Sequence, residues 1–210
     1  MDLFTVMGLN SDLYLDTLGN SYYFRRKEVL GKLESMWESD PIITAMLALG
    51  ITRGSYFEIG CANGWRMDVL NREFNMSVSG IEPSIAAKGN REYIITGTAD
   101  KIPLYSTEVD VVAFAYVLYT VDRSDLFKIA SEADRILRDS GHMIVYDFYS
   151  EIPAVRQNPD CKDILTCKTD YGGMFRWHPC YREVYSKVQR EPDNPNSHPV
   201  VVNVFQKQLF

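Results

Sequence analysis

Between residues 50 and 150, short apolar runs alternate with amphipathic stretches. Residues 55–59, 77–82, 93–96, 110–116 and 141–148 read as strands, and 64–73, 84–91 and 122–139 between them as helices. That alternation predicts βαβ units around a mostly parallel sheet. VDVVAFAYVL, apolar almost throughout, fits a central strand covered on both faces. Upstream, Tyr23, Val29, Leu30, Leu33, Met36 and Trp37 recur at helical spacings within 21–50. Asp40-Pro41 breaks that run, and 42–49 resumes as a second helix with the proline in its first turn. Downstream, YREVYSKVQRE and VVVNVFQKQLF alternate with period two and are joined by PDNPNSHP, a long-looped antiparallel hairpin at one end of the sheet. The predicted architecture is α/β: a doubly wound, mostly parallel seven-stranded sheet ending in that hairpin. A helical cap occupies 1–50, and a single sheet domain occupies 51–210, with 149–181 as a lid-like insertion.

Composition then removes several classes of function. A net charge of −6 over 210 residues argues against a nucleic-acid partner, and the one dense basic run, Arg25-Arg26-Lys27, is short enough to be a solvated helix face. No apolar run reaches the ~18 residues of a membrane span, and MDLFTVMGLNSD is too short and acidic for a signal peptide, so a cytoplasmic location away from membranes is expected. Cys61, Cys161, Cys167 and Cys180 have neither CxxC spacing nor a nearby histidine pattern, so neither a metal site nor a disulfide framework is read.

Candidate chemistry concentrates after the first strand. In GSYFEIGCANGW, Glu58 ends an apolar run, and Gly60 and Gly64 bracket a turn of small residues, Cys61, Ala62 and Asn63, before a helix begins. Such a turn lets a ligand approach the backbone, with the free N–H groups of the helix start beside it. A dinucleotide fingerprint would need a third glycine where Trp65 stands, which sets the nicotinamide-dependent oxidoreductase alternative back. Glu82, followed by Pro83, ends the second strand 24 residues after Glu58, where a carboxylate can accept from both hydroxyls of a ribose.

The spacing Gly60-x-Ala62-x-Gly64 resembles the GxGxG turn of class I S-adenosylmethionine (SAM)-dependent methyltransferases, with Glu58 at that family's acidic position. GTADKIPLYSTEVDVVAFAYVL is similar to the segment leading into strand four of small-molecule members related to the ubiquinone and menaquinone enzymes, and LFKIASEADRILRDSGHMIVYDF resembles their helix before strand five and that strand. The likeness covers roughly residues 50–150. It implies a Rossmann-like methyltransferase fold and SAM as cofactor, with S-adenosylhomocysteine as product. It also implies a cofactor site of Glu58, Gly60, Cys61, Ala62, Asn63, Gly64, Glu82, Pro83, Ala99, Asp100, Ala115 and Tyr116, with Ala99 and Asp100 beside the adenine.

Methyl transfer needs a donor and acceptor held close, aligned and dry, and a base only when the acceptor must lose a proton. Asp147, ending strand five, is the leading candidate for a base or acceptor ligand, or else a capping carboxylate; His178 is the second candidate base. Tyr116 and Tyr119 either floor the acceptor pocket or pack the core. In the insertion, Tyr149, Tyr171 and Trp177 are candidate acceptor contacts, and Tyr22, Tyr23 and Arg26 of NSYYFRRKE are candidates on the other side. The expected acceptor is a small molecule, its methylated atom oxygen or nitrogen, with a sugar or nucleotide-sugar as a guess. A SAM-binding protein without catalysis is the other alternative, and a homodimer through the hairpin edge is open.

Overall fold

The computed structural model of the chain describes residues 14–158, 165–190 and 198–208. Helix α1 (Gly19–Leu33) passes through a 3-10 segment, Glu34–Ser39, into α2 (Pro41–Ala48). Asp40 separates them. Its backbone is extended, Pro41 takes the first helical position, and its Oδ1 accepts from the N–H groups of Ile42 and Ile43 at 3.1 and 3.0 Å.

The alternation follows as β1 (Ser55–Ile59), α3 (Trp65–Phe74), β2 (Ser77–Glu82), α4 (Ile85–Lys88), β3 (Ile94–Thr96), β4 (Val109–Ala115), α5 (Leu126–Ile136) and β5 (Leu137–Phe148). After these come β6 (Ala154–Gln157), β7 (Leu165–Lys168), α6 (Gly173–Trp177), β8 (Tyr181–Gln189) and β9 (Val200–Lys207). The main sheet has the order β3-β2-β1-β4-β5-β9-β8, its first five strands parallel and β9 antiparallel to both neighbours. This is the doubly wound seven-stranded sheet that the hydrophobic pattern predicts, with the hairpin at its edge and helices at the amino-terminal side. Strand order reverses between β1 and β4, so a crevice opens beyond their carboxyl ends.

Alternation along each strand sends side chains to two cores. Phe57, Ile59, Val112 and Phe114 pack with Ile129, Ala133 and Ile136 of α5; Tyr56, Val111 and Ala113 pack with Ile42, Ile43 and Met46 of α2 and with Met67, Val69 and Leu70 of α3. Thus α2, expected as part of a cap, belongs to a layer against the sheet. Helix α1 reaches the rim of the crevice, docked through Gly19 and Asn20. A Cβ at Gly19 would lie 3.1 Å from the Ser84 nitrogen, and the Asn20 side-chain oxygen accepts from Ser84 Oγ and the Ala86 N–H.

Two predicted helices shorten. The one over 84–91 is a single turn, ended by Gly89 at φ +55°. The one over 122–139 spans Leu126–Ile136, because Leu137 already pairs with Val109; a bulge then carries Ser140 at φ +64° before pairing resumes at His142. Within 149–181 the structure forms an antiparallel ribbon, β6 with β7, that the pattern did not predict.

Candidate cofactor and acceptor cleft

The turn after β1 is held open by three left-handed residues: Gly60 at φ +70°, Ala62 at +48° and Gly64 at +71°. A side chain on Gly60 would place its Cβ 2.4 Å from Val117 Cγ2, so only glycine fits between β1 and the segment after β4. Ala62 holds a conformation that costs an L-residue roughly 1–2 kcal/mol. Its N–H donates to Glu82 Oε2 at 2.8 Å, tying the turn to the end of β2. Cys61 is buried beneath, its Sγ 2.9 Å from where a Cβ on Gly80 would stand. The side-chain oxygen of Asn63 is buried without a hydrogen-bond partner.

Four carboxylates lie near the strand ends, in different circumstances. Glu82 Oε1 accepts from the Ser84 N–H at 2.9 Å, and burial pushes its pKa up to about 7. Each of its oxygens keeps a further lone pair. Glu58 is turned to the opposite face, where it pairs with Arg66 Nη1 and accepts from Tyr56 Oη at 3.0 Å. Arg66 also forks onto Asp40, both contacts at 3.0 Å. Asp147 is 0 % exposed. It accepts from the N–H groups of Phe148 at 2.7 Å and Tyr119 at 3.3 Å, and burial pushes it up to about 7. Asp100 takes hydrogen bonds from Lys128 Nζ at 2.8 Å and Thr98 Oγ1 at 2.5 Å; although burial opposes it, these hold its pKa below the ordinary value.

An open cleft lies above the switch point. One wall is Gly60, Ile81, Glu82, Pro83 and the segment Gly97–Ala99; the other carries Tyr14, Tyr22, Tyr116 and Tyr119, with Val117 and Thr120 between. Tyr116 is left-handed at φ +57° and donates to Tyr146 Oη at 2.9 Å. Burial, then neighbouring hydroxyls and carboxylates, push Tyr116 and Tyr119 well above the ordinary tyrosine range, so both stay protonated.

Comparison with known proteins points the same way. A family model described as a methyltransferase domain matches residues 57–145, from β1 into β5. That stretch reads as a methyltransferase domain of the SAM-dependent kind. By sequence no curated protein matches the chain. Among solved structures, a SAM-dependent methyltransferase from Methanosarcina mazei is similar with a TM-score of 0.62 at 17% identity, covering 81% of this chain and 99% of its own. The 1,6-didemethyltoxoflavin N1-methyltransferase of Burkholderia thailandensis, solved with 1,6-didemethyltoxoflavin and S-adenosylhomocysteine, gives 0.67 at 12%, covering 88% and 87%. A Leishmania major SAM-dependent methyltransferase gives 0.67 at 16%, covering 98% and 86%. At these identities the likeness shows the shared fold.

SAM is the cofactor of this domain, and the residues present fit it. Gly60 forms a cradle that a Cβ would close, the Asn63 oxygen is an orphaned acceptor in the turn, and Glu82 lines the cleft with spare lone pairs. Of the residues expected at the methyltransferase cofactor site, Gly60, Glu82, Pro83, Ala99 and Tyr116 line the cleft. Ala62, Asn63 and Gly64 shape the turn beneath. Cys61 packs in the core, and Ala115 is partly buried against it, so neither reaches the cleft. Glu58 and Asp100 do not line it either, since Arg66 and Lys128 hold their carboxylates elsewhere.

Of the acceptor-side candidates, Tyr22 and Tyr119 line the cleft. Asp147 lies under its floor, capping the turn Leu118–Thr120. His178 sits at the end of α6, where its Nδ1 accepts from the Cys180 N–H, and it does not approach the cleft. Tyr171 is a core residue whose hydroxyl donates to the Cys167 carbonyl; Trp177 is 78% exposed on the outer surface. Tyr149, Tyr23 and Arg26 also stand outside the lining. Sequence reasoning missed Tyr14, whose only signal was its place eight residues before Tyr22, about two helical turns away. It also missed Gly97, Thr98 and Val117, although all three lie inside quoted segments.

Proposed function

We propose that the protein transfers the methyl group of SAM to an oxygen or nitrogen atom of a small molecule bound against the tyrosine wall. When bound, SAM supplies a methyl carbon already activated by its sulfonium sulfur. What the chain must then do is position and exclude water. Glu82 would accept from the ribose hydroxyls, Gly60 would let the methionine portion approach the backbone, and Thr98 and Ala99 would border the base. The rings of Tyr14, Tyr22, Tyr116 and Tyr119 would hold the acceptor across the cleft.

One observation carries this reading: a carboxylate with spare lone pairs and four tyrosines line one cleft at the switch point. Tyr116 and Tyr119 stay protonated, and Asp147 is sealed beneath, so these groups serve as hydrogen-bonding partners and not as bases. That suits a nitrogen lone pair, which attacks without first losing a proton. The N1-methyltransferase acting on 1,6-didemethyltoxoflavin among the similar folds supports such an acceptor. A cytoplasmic enzyme with no nucleic-acid partner is in keeping with the charge.

The test is calorimetric titration with SAM, S-adenosylhomocysteine and NAD in parallel. Micromolar binding of the first two and none of NAD is expected; binding of NAD alone, or of none, would sink the proposal. Release of S-adenosylhomocysteine in the presence of flat amines and hydroxyl compounds then sorts nitrogen from oxygen acceptors.

A further inference from the structure

Three basic side chains converge just outside the tyrosine wall. In the β6–β7 ribbon Ala154 pairs with Lys168 and Arg156 with Thr166, so Arg156 and Lys168 are diagonal neighbours on one face. Lys168 Nζ lies 3.9 Å from the centre of the Phe148 ring. Phe148 in turn packs edge-on against Tyr116 and Tyr119, at 5.3 and 4.9 Å, and both tyrosines line the cleft. His198 joins from the approach to β9, one residue before Pro199, whose carbonyl accepts from the Tyr149 N–H at 2.8 Å. The ribbon meets the cleft again at its far end, where Asn158 Nδ2 stands 3.5 Å from Tyr14 Oη.

Among the described residues no carboxylate forms an ion pair with Arg156, Lys168 or His198. The three groups feel one another. Burial, then the positive charges of Lys168 and Arg156, push His198 below its ordinary pKa; burial, then Arg156, do the same to Lys168, which Asp147 only partly opposes. Cations gathered from three segments without a counter-charge form a site that an external anion would complete.

We propose that Arg156, Lys168 and His198 are the subsite for an anionic group, a phosphate or carboxylate, carried by the acceptor, which reaches over the Phe148 rim while its methylated atom lies among the cleft tyrosines. The assignment rests on the acceptor wall proposed above. It makes the ribbon a specificity element and accounts for its position beside the turn Leu118–Thr120.

Phenyl phosphate and inorganic phosphate, titrated into the S-adenosylhomocysteine-mixed protein by calorimetry, test it. Phenyl phosphate should bind more tightly than inorganic phosphate, because its ring meets the tyrosine wall. Lys168→Ala and Arg156→Ala should each weaken it about tenfold, as loss of a charge-assisted contact does. Lys168→Arg should retain most of the affinity, and Lys187→Ala, on the exposed side of β8, all of it. The His198 imidazole, followed by NMR, should titrate at higher pH with phenyl phosphate present. Absence of binding to the parent protein, equal affinity in the alanine variants, an unmoved His198 or equal binding of the two phosphates would overturn the subsite. Melting curves of the variants separate misfolding from lost charge. Phosphate binding with no SAM binding would sink the methyltransferase reading and leave an anion site; SAM binding without phosphate binding would sink the subsite alone.

Discussion

The wall of Gly60, Glu82 and Gly97–Ala99 is made largely of backbone and strand ends, while the facing wall is made of side chains brought from Tyr14, Tyr22, Tyr116 and Tyr119. The first is positioned by the sheet itself: parallel pairing of β1 with β2 sets the turn against Glu82, and the Ala62 N–H locks it there. The second depends on α1 docking over the β2–α4 loop and on the left-handed turn at Tyr116. A backbone-built wall tolerates few substitutions and binds a constant ligand. A side-chain wall can change its ligand with little cost to the fold.

The largest expected effect falls on the first wall. Gly60→Val forces a branched side chain into Val117 at a left-handed position, so SAM binding should fall at least about a hundredfold. Calorimetry and a thermal melt read both consequences, and near-normal affinity would mean that the turn is not the cradle. Glu82→Ala should weaken SAM by roughly 10–100-fold, the loss of charge-assisted hydrogen bonds of about 1.5–3 kcal/mol. Asp147→Asn, the other buried carboxylate, should leave SAM affinity within about twofold, because its partners are backbone N–H groups below the floor. If the two variants behave alike, the contrast between the walls is lost.

Acidity sharpens the same contrast. Glu82 must be ionised to accept from ribose hydroxyls, and its pKa is pushed to about 7 by burial. SAM affinity should therefore fall as pH drops below 7, approaching tenfold per unit, and Glu82→Gln should flatten the profile. Stability runs the other way. Both Glu82 and Asp147 have folded pKa values raised to about 7 from ordinary values of 4.5 and 3.8. Each stabilises the folded state fully below its ordinary value and loses that contribution as pH rises through 7. The ligand-free protein should melt lower at pH 8 than at pH 6, by less in Asp147→Asn. The smallest effect is expected at Ala62→Gly, which relieves the left-handed alanine and should stabilise the protein by about 0.5–1 kcal/mol in denaturant unfolding.

The glycine turn was legible because left-handed conformations and close approach demand particular residues, and Glu82 was legible because a strand end fixes its place. Glu58 and Asp100 looked equivalent to Glu82 along the chain. What distinguishes them is a partner, Arg66 or Lys128, that only folding brings near. Asp147 was correctly placed at a strand end, yet the turn Leu118–Thr120 covers it, and no local pattern announces which segment will cover a carboxylate. His178, Tyr171 and Trp177 drew attention as an aromatic cluster, and the fold spent Tyr171 on core packing while leaving Trp177 outside.

By itself the sequence determined the alternation of strands and helices, the parallel sheet with its antiparallel hairpin, and the glycine turn with its strand-end carboxylate. Those features follow from hydrophobic period and from backbone conformations open to few residues, both of which act over a handful of positions. Only the tertiary structure decided which carboxylates face the cleft, that Tyr14 joins its wall, and that Arg156, Lys168 and His198 gather beside it. Each of those depends on residues far apart in sequence meeting in one low-dielectric place, where burial and neighbouring charge choose the partner.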